Sequence, residues 1–326
     1  MMAKTRKPRL LYYEIMRYHD QALAKLHQHF EVAALPDPGH DTAALLAWAE
    51  VIMAPLGFPV DRQKMDCCPE LKVIASSTLS VPHIDLDYAA ARGLRVVHLG
   101  REQEFLKTIT PTAELTWGLV LALTRHIPWA SKAALAGQWG GRPWGRKTPR
   151  MLSNMSLGVV GLGRLGALVA SYGQAFGMPV YYWSRNSRND AYTRCSSLPE
   201  LARAADIVSV HVHHTPETGG LIDRAFFQAM RPGSYFINTA RGEVVDEEAL
   251  LAALESGHLA GAALDVLAGE FQPDFPERLA RSPLVAYARQ HDNLIITPHY
   301  AGATQDAWSG TQVRTIELIL ASLPDN

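Results

Sequence analysis

Three apolar runs in the second half of this 326-residue chain each lead to a residue able to do acid–base or anion chemistry. Tyr235-Phe236-Ile237-Asn238 leads through Thr239 and Ala240 to Arg241. Ala262-Ala263-Leu264-Asp265-Val266 leads through Gly269 to Glu270, and Leu294-Ile295-Ile296 leads through Thr297 and Pro298 to His299. A guanidinium can grip a carboxylate with two parallel N–H bonds and polarise a carbonyl beside it. An imidazole can give a proton to a forming alkoxide and take it back in the reverse direction. A carboxylate bonded to that imidazole fixes its tautomer and favours its protonated form. Together they suit the interconversion of a carbonyl and an alcohol next to a carboxylate, with a cofactor carrying the hydride. Each has a plainer reading alone: an arginine after a strand is usually a surface ion pair, and the chain has 13 histidines.

The signature of such a cofactor stands upstream. Ser156-Leu157-Gly158-Val159-Val160-Gly161-Leu162-Gly163-Arg164-Leu165-Gly166 places GxGxxG after an apolar strand and at the mouth of a helix read over Ala167 to Phe176. A second strand, Val180 to Trp183, completes the βαβ unit that a dinucleotide fingerprint requires. Gly161 permits the tight turn, Gly163 lets the backbone approach the pyrophosphate, and Gly166 lets helix and strand pack closely. The phosphates then meet the N–H groups of the helix N-terminus. Where NAD sites commonly carry an acidic residue, the chain has Ser184-Arg185-Asn186-Ser187-Arg188. A guanidinium there suits a 2′-phosphate, so NADP(H) is favoured. The other reading is that Arg185 and Arg188 are solvated charges and NAD(H) binds through the rest of the site.

The elements that must position these residues alternate between short β-branched runs and longer amphipathic stretches, the pattern of α/β parallel sheets. Strands are expected at Leu10–Tyr13, Glu31–Ala34, Val51–Ala54, Val73–Ser77 and Leu94–His98, with helices from Asp20 to Phe30 and Asp41 to Ala49. A helix from Thr112 to Arg125 follows as a spacer. Gly137 to Pro149, with Trp139, Gly140, Gly141, Pro143, Trp144 and Gly145, reads as a structured loop. The alternation then resumes from Leu157 to Ile296. At the open ends of a parallel sheet, Arg241, Glu270 and His299 are expected to converge.

Composition narrows the partners. Lys+Arg 31 against Asp+Glu 32 gives a net charge of -1, without the pull toward a polyanion that nucleic-acid binding needs. No apolar run reaches the roughly 18 residues of a membrane span. Cys67, Cys68 and Cys195 form no CxxC pair and are read as packing residues. His126, His258 and His291 are read as surface residues. The expected protein is cytoplasmic, with a small-molecule substrate.

The segments Val160–Gly166, Phe236–Gly242, Ala263–Val266 with Glu270, and Thr297–Gly302 resemble, in order and register, the D-isomer-specific 2-hydroxyacid dehydrogenase family. The resemblance runs over nearly the whole chain. It implies two Rossmann-like, doubly wound parallel-sheet domains: a discontinuous flavodoxin-like substrate domain over 1–103 and 298–326, and a dinucleotide-binding domain over 104–297. A homodimer built on the latter and a hinge helix opening at Ala113-Glu114 are implied as well. The family's pattern puts backbone N–H groups of Leu79, Ser80 and Val81 on the substrate carboxylate, beside Arg241 and His299. It puts Gly161, Gly163, Arg164, Leu165, Gly166, Ser184, Arg185, His211, Val212, Thr215, Thr239, Ala240, Asp265 and Ala301 on the cofactor, with Asp265 near the nicotinamide carboxamide. The chain departs from many relatives at Ser80 and Pro82, where glycine and aspartate are common, and at His213, a common proline.

Among substrates, a phosphorylated acid needs cationic donors, and Ile74 to Val81 has neither Arg nor Lys. That disfavours the D-3-phosphoglycerate dehydrogenases, which share the layout. Hydroxypyruvate and glyoxylate reductases, often users of NADPH, fit better; in such reductases a tryptophan such as Trp139 or Trp144 can close the partner's pocket. The formate dehydrogenases of the superfamily pair the histidine with glutamine, against Glu270. A reading of another class, a dinucleotide-sensing corepressor-like binding protein, keeps the same fold and triad.

Overall fold

The computed structural model describes residues 6–139, 148–186 and 188–323. Residues up to Ile109, with those from Ala303 onward, form one compact unit, and Thr110–Gly302 form another. The breaks lie at Ile109 and Ala303 rather than at 103 and 298, so His299 belongs with the second unit.

The first unit holds β1 (Arg9–Tyr13), β2 (Glu31–Leu35), β3 (Val51–Met53), β4 (Val73–Ser76) and β5 (Arg95–His98). All pairs are parallel, in the flavodoxin-like order β2-β1-β3-β4-β5. The central strands are near-continuous apolar runs because both of their faces are covered. Leu11, Ile52 and Ile74 pack with Met65 and Cys68. Leu10, Val51 and Val73 pack with Leu26 and with Ile316 and Ile319 of the helix Gln305–Ser322. That last contact binds the returning C-terminal segment to the unit.

The second unit holds β6 (Leu157–Val160), β7 (Val180–Trp183), β8 (Thr193–Arg194), β9 (Ile207–Val210), β10 (Ser234–Asn238), β11 (Leu259–Leu264) and β12 (Leu294–Ile296). Its parallel sheet runs β12-β11-β10-β9-β6-β7-β8, so the strand order reverses between β6 and β9. Phe227, Phe236, Leu250 and Leu264 fill one core. Val159, Val169, Ile207 and Ile237 fill the other with Trp117, whose Nε1 donates to the Val169 carbonyl at 3.1 Å. Trp117 lies in the helix Pro111–Thr124, which is therefore part of this core and more than a spacer.

Several local expectations change. The helix after the glycine turn spans Arg164–Ala175, beginning earlier than Ala167. A further helix, Ile127–Leu135, follows a break at His126, whose φ of +54° lies in the left-handed region, and Pro128 stands in the first turn of the new helix. His126, expected at the surface, is buried by this reversal, its ring 5.9 Å from Trp129. His258 is half-buried, with Nε2 3.0 Å from the Met230 carbonyl, whereas His291 is exposed and stacks on Tyr287. Cys68 and Cys195 are buried as packing residues, but Cys67 is exposed. Trp139 is exposed, while Trp144, Gly140, Gly141, Pro143, Gly145 and Ser187 lie outside the described residues. Among the described residues no helix is long and apolar enough to cross a membrane.

Candidate active site

The glycine-rich turn sits where the sheet order reverses. Each glycine has its own reason. Gly161 has φ +93°, and a Cβ there would lie 2.7 Å from the His211 carbonyl, because the end of β9 runs beside the end of β6. A Cβ on Gly166 would lie 2.0 Å from the Gly161 carbonyl, so the helix can approach the turn only without one. Around Gly163 a Cβ would meet open space, and no side chain caps the helix that it precedes. An uncapped helix N-terminus facing open space fits a pyrophosphate. Arg164 and Leu165 form its first turn, both half-buried.

His211 closes the other side of the turn. Its N–H donates to the Val160 carbonyl at 2.7 Å, and its Nε2 lies 2.8 Å from Ser209 Oγ. Burial pulls the imidazole down to about 4, so it is neutral at pH 7. The unfolded imidazole titrates near 6.5, so as pH falls the unfolded chain takes up the proton first. The contribution of this group to stability is full above about pH 6.5 and is lost as pH falls towards 4. Urea midpoints at pH 7 and pH 5 should therefore drop further for the wild type than for His211→Asn; equal drops would contradict a neutral His211. Val212 packs beside Gly161. Thr215 donates from Oγ1 to Glu217 Oε2 at 2.7 Å, and its N–H donates to Thr218 Oγ1 at 2.8 Å.

At the end of β7, Ser184 is half-buried and Arg185 and Arg188 are exposed. Arg194 pairs across from Tyr182 on β8 and donates Nη2 to the Ser184 carbonyl at 3.1 Å. Two guanidinium-bearing residues thus flank Ser184. Sequence reading missed Arg194, because only the pairing of a two-residue strand brings it back beside β7.

The three loops with chemical residues follow the adjacent strands β10, β11 and β12. Buried Asn238 ends β10; its Oδ1 accepts the Ala240 N–H at 3.0 Å and its Nδ2 donates to the Arg241 carbonyl at 2.9 Å. This turn leaves Arg241 exposed, with Nη1 donating to the Ala240 carbonyl. Thr239 faces inward instead: its hydroxyl is 2.8 Å from that of Thr116. Gly242 lies so close to the next loop that a Cβ would stand 2.1 Å from the Leu267 carbonyl carbon.

Asp265, almost fully buried, organises the third loop. Its Oδ1 accepts the Thr297 hydroxyl at 2.5 Å and the Tyr300 N–H at 3.2 Å, and its Oδ2 accepts the Ala301 N–H at 2.9 Å. Its carbonyl accepts the His299 N–H at 2.8 Å. These bonds hold His299 at φ +48°, a conformation that a non-glycine residue needs such support to keep. His299 Nδ1 is 2.7 Å from Glu270 Oε1, and the Phe271 ring stands 5.5 Å from the imidazole. With the carboxylate as acceptor, Nδ1 carries the hydrogen and Nε2 is left for proton exchange. The roles of Asn238 and Phe271 were missed in the sequence; Asn238 stands in the quoted motif, but only the turn geometry shows its use.

In the first unit, the loop Thr78–Val81 directs its carbonyls into the protein. That of Thr78 accepts the Leu99 N–H, that of Leu79 lies 3.2 Å from His98 Nδ1, and that of Ser80 accepts the Thr78 hydroxyl at 2.7 Å. The N–H groups of Leu79, Ser80 and Val81 have no partner among the described residues, an arrangement suited to an anion.

Comparison with known proteins gives the same picture. The model of the D-isomer specific 2-hydroxyacid dehydrogenase NAD binding domain matches residues 117–301. The chain is 37% identical to a glyoxylate reductase of Thermofilum pendens over 271 residues, 79% of this chain and 74% of that protein. The structure resembles D-lactate dehydrogenase from Aquifex aeolicus complexed with NAD and lactic acid, with a TM-score of 0.75 at 28% identity, covering 96% of this chain and 94% of that one. It also resembles an NADPH-dependent glyoxylate/hydroxypyruvate reductase from Sinorhizobium meliloti in complex with NADP and malonate, with a TM-score of 0.76 at 27% identity, covering 97% and 93%. With its dinucleotide turn and its match to this family over more than half its length, the chain is an oxidoreductase acting on the CH–OH group and belongs to the D-isomer specific 2-hydroxyacid dehydrogenase family.

Proposed function

We propose that the chain interconverts a small, unphosphorylated 2-keto acid of the glyoxylate or hydroxypyruvate kind and its 2-hydroxy acid, with NADP(H) favoured over NAD(H). The observation that carries this reading is the His299–Glu270 pair at 2.7 Å, on loops of the same unit as Arg241 and the glycine turn. When bound, the nicotinamide supplies or accepts the hydride. Arg241 grips the carboxylate and polarises the keto group. His299 delivers a proton from Nε2 to the carbonyl oxygen, and removes it in the oxidative direction. Glu270 holds the imidazole in the required tautomer and balances its charge when protonated. Within the first unit, the unpaired N–H groups of Leu79, Ser80 and Val81 suit an anion such as a carboxylate.

Support for the coenzyme preference comes from Arg185 and Arg194 beside Ser184, and from the segment 184–188, which has no acidic residue of its own. The lack of Arg and Lys from Ile74 to Val81 supports an unphosphorylated acid. Association as a homodimer through the second unit belongs to the same reading, supported by exposed Ile127, Leu135, Trp139 and Met151.

A steady-state screen of glyoxylate, hydroxypyruvate, pyruvate, 2-ketoisovalerate and phosphohydroxypyruvate with both coenzymes tests the proposal. Glyoxylate and hydroxypyruvate with NADPH should give the highest kcat/KM, and NADPH should bind roughly tenfold tighter than NADH, as expected for one charge-assisted contact. Tighter NADH binding would overturn the coenzyme preference, and preference for phosphohydroxypyruvate the substrate class. Light scattering on the same preparation should give a dimer mass; a monomer would refute the association.

A further inference from the structure

The loop that carries Glu270 is held by two carboxylates that the proposed chemistry does not use. Glu247 opens the helix Glu247–Glu255, and its Oε1 accepts the Ala268 N–H at 2.7 Å. Glu243, in the short turn Gly242–Val244, accepts the Gly269 N–H through Oε1 at 3.2 Å. Arg278 completes the grip: its Nη2 donates to the Ala268 carbonyl at 3.4 Å, and its guanidinium lies where a Cβ on Gly269 would stand.

Burial pushes the Glu247 carboxyl up; the Ala268 N–H and Arg278 pull it back, and the Glu243 and Glu270 carboxylates add to the rise. An acid raised on folding contributes stability only below its unfolded value, and that contribution is lost as pH rises through the folded value. Ionisation of Glu247 is therefore a burden on the fold, which a neutral glutamine would relieve. The same carboxylate stands close enough to Glu270 to act on it electrostatically. The groups facing Glu247 are Glu243 from its own segment, Glu270 from the loop after β11, and Arg278 from the helix Phe275–Ala280. Asp274, Glu277 and Arg281 line a cavity of about 370 Å³ beside it.

We infer that Glu247, assisted by Glu243, is a positioning residue for the Glu270–His299 pair: it fixes the loop on which Glu270 stands and places negative charge behind it that favours the protonated imidazole. This rests on the reading of Glu270 and His299 as the proton-transfer pair. Glu247 bonds to the loop backbone at Ala268, so its effect passes through that pair.

The test uses the best keto acid of the screen above with NADPH, recording kcat, kcat/KM and coenzyme affinity from pH 5.5 to 9.5 for Glu247→Ala, Glu247→Gln and Glu270→Gln. Glu247→Ala should lower kcat roughly tenfold, as displacement of an aligned group by a fraction of an ångström does, with coenzyme Kd within about twofold. Glu247→Gln keeps an oxygen that can accept the Ala268 N–H, so it should recover most of kcat. It should still move the midpoint of the alkaline fall in kcat/KM to lower pH, by about half a unit to one unit for a lost neighbouring charge. Its Tm at pH 8 should be no lower than that of the wild type, which separates this effect from unfolding. Wild-type profiles for both Glu247 variants, with a displaced profile for Glu270→Gln, would overturn the positioning role and leave the pair standing. An undisplaced profile for Glu270→Gln would overturn the pair, and the role of Glu247 with it.

Discussion

Replacing His299 by alanine lowers kcat by at least ~10²-fold, the ordinary contribution of a positioned general acid, and leaves dinucleotide affinity nearly unchanged. The two effects separate because they depend on different parts of the second unit. His299 stands on the loop after β12, whose backbone is fixed by the two oxygens and the carbonyl of Asp265. The glycine turn is built instead from β6, β9 and the helix Arg164–Ala175. The φ of +48° at His299 adds a condition, since alanine in the left-handed region costs about 1–2 kcal/mol. Asparagine tolerates that conformation better, so His299→Asn is the cleaner variant and should lose as much turnover with less disturbance of the loop. Steady-state kinetics and coenzyme fluorescence titrations on both variants check this. Parallel loss of kcat and coenzyme affinity would show that the residue supports the fold of the site and does not transfer the proton.

Arg241→Lys should be almost as damaging, although the charge is kept. A guanidinium presents two N–H groups in one plane to a carboxylate, and lysine offers a single mobile point charge. We expect a loss of ~10²-fold in kcat/KM, about the loss of one charge-assisted bond in a closed site. Both terms should change, because Arg241 is assigned to holding the carboxylate and to polarising the carbonyl. The turn should survive the change, since it is built by the Asn238 side chain on backbone groups of Ala240 and Arg241. Near-normal kinetics would remove Arg241 from the carboxylate site.

Much of this arrangement is legible in the sequence, for a physical reason. A parallel strand buried on both faces is a short apolar run, and the residue just past its end is where a ligand can reach the protein, so Arg241, Glu270 and His299 stand out by contrast with what precedes them. The three glycines stand out because each occupies a position that a Cβ would spoil or obstruct. The supports do not show in this way. Arg194 is ten residues from Ser184 and meets it only through strand pairing. Glu247 looks like an ordinary acidic residue in a helix first turn, and only the path of the loop after β11 turns it inward. The early start of the helix Arg164–Ala175 was hidden by Gly166, a poor helix former kept for its close approach to Gly161. His126 looked solvated because the reversal that buries it depends on its own positive φ.

The contact at Gly242 has a mechanical consequence. With no room for even a methyl group between that residue and the Leu267–Ala268 peptide, the segment bearing Arg241 and the segment leading to Glu270 are a single solid part. On the roles proposed above, grip on the acid and supply of the proton cannot then be adjusted separately by changes in either segment, since a shift in one is transmitted to the other. Adaptation of such a protein to a longer or bulkier acid would have to proceed through residues elsewhere in the chain, leaving this joint untouched as the fixed jaw against which substrate preference is varied.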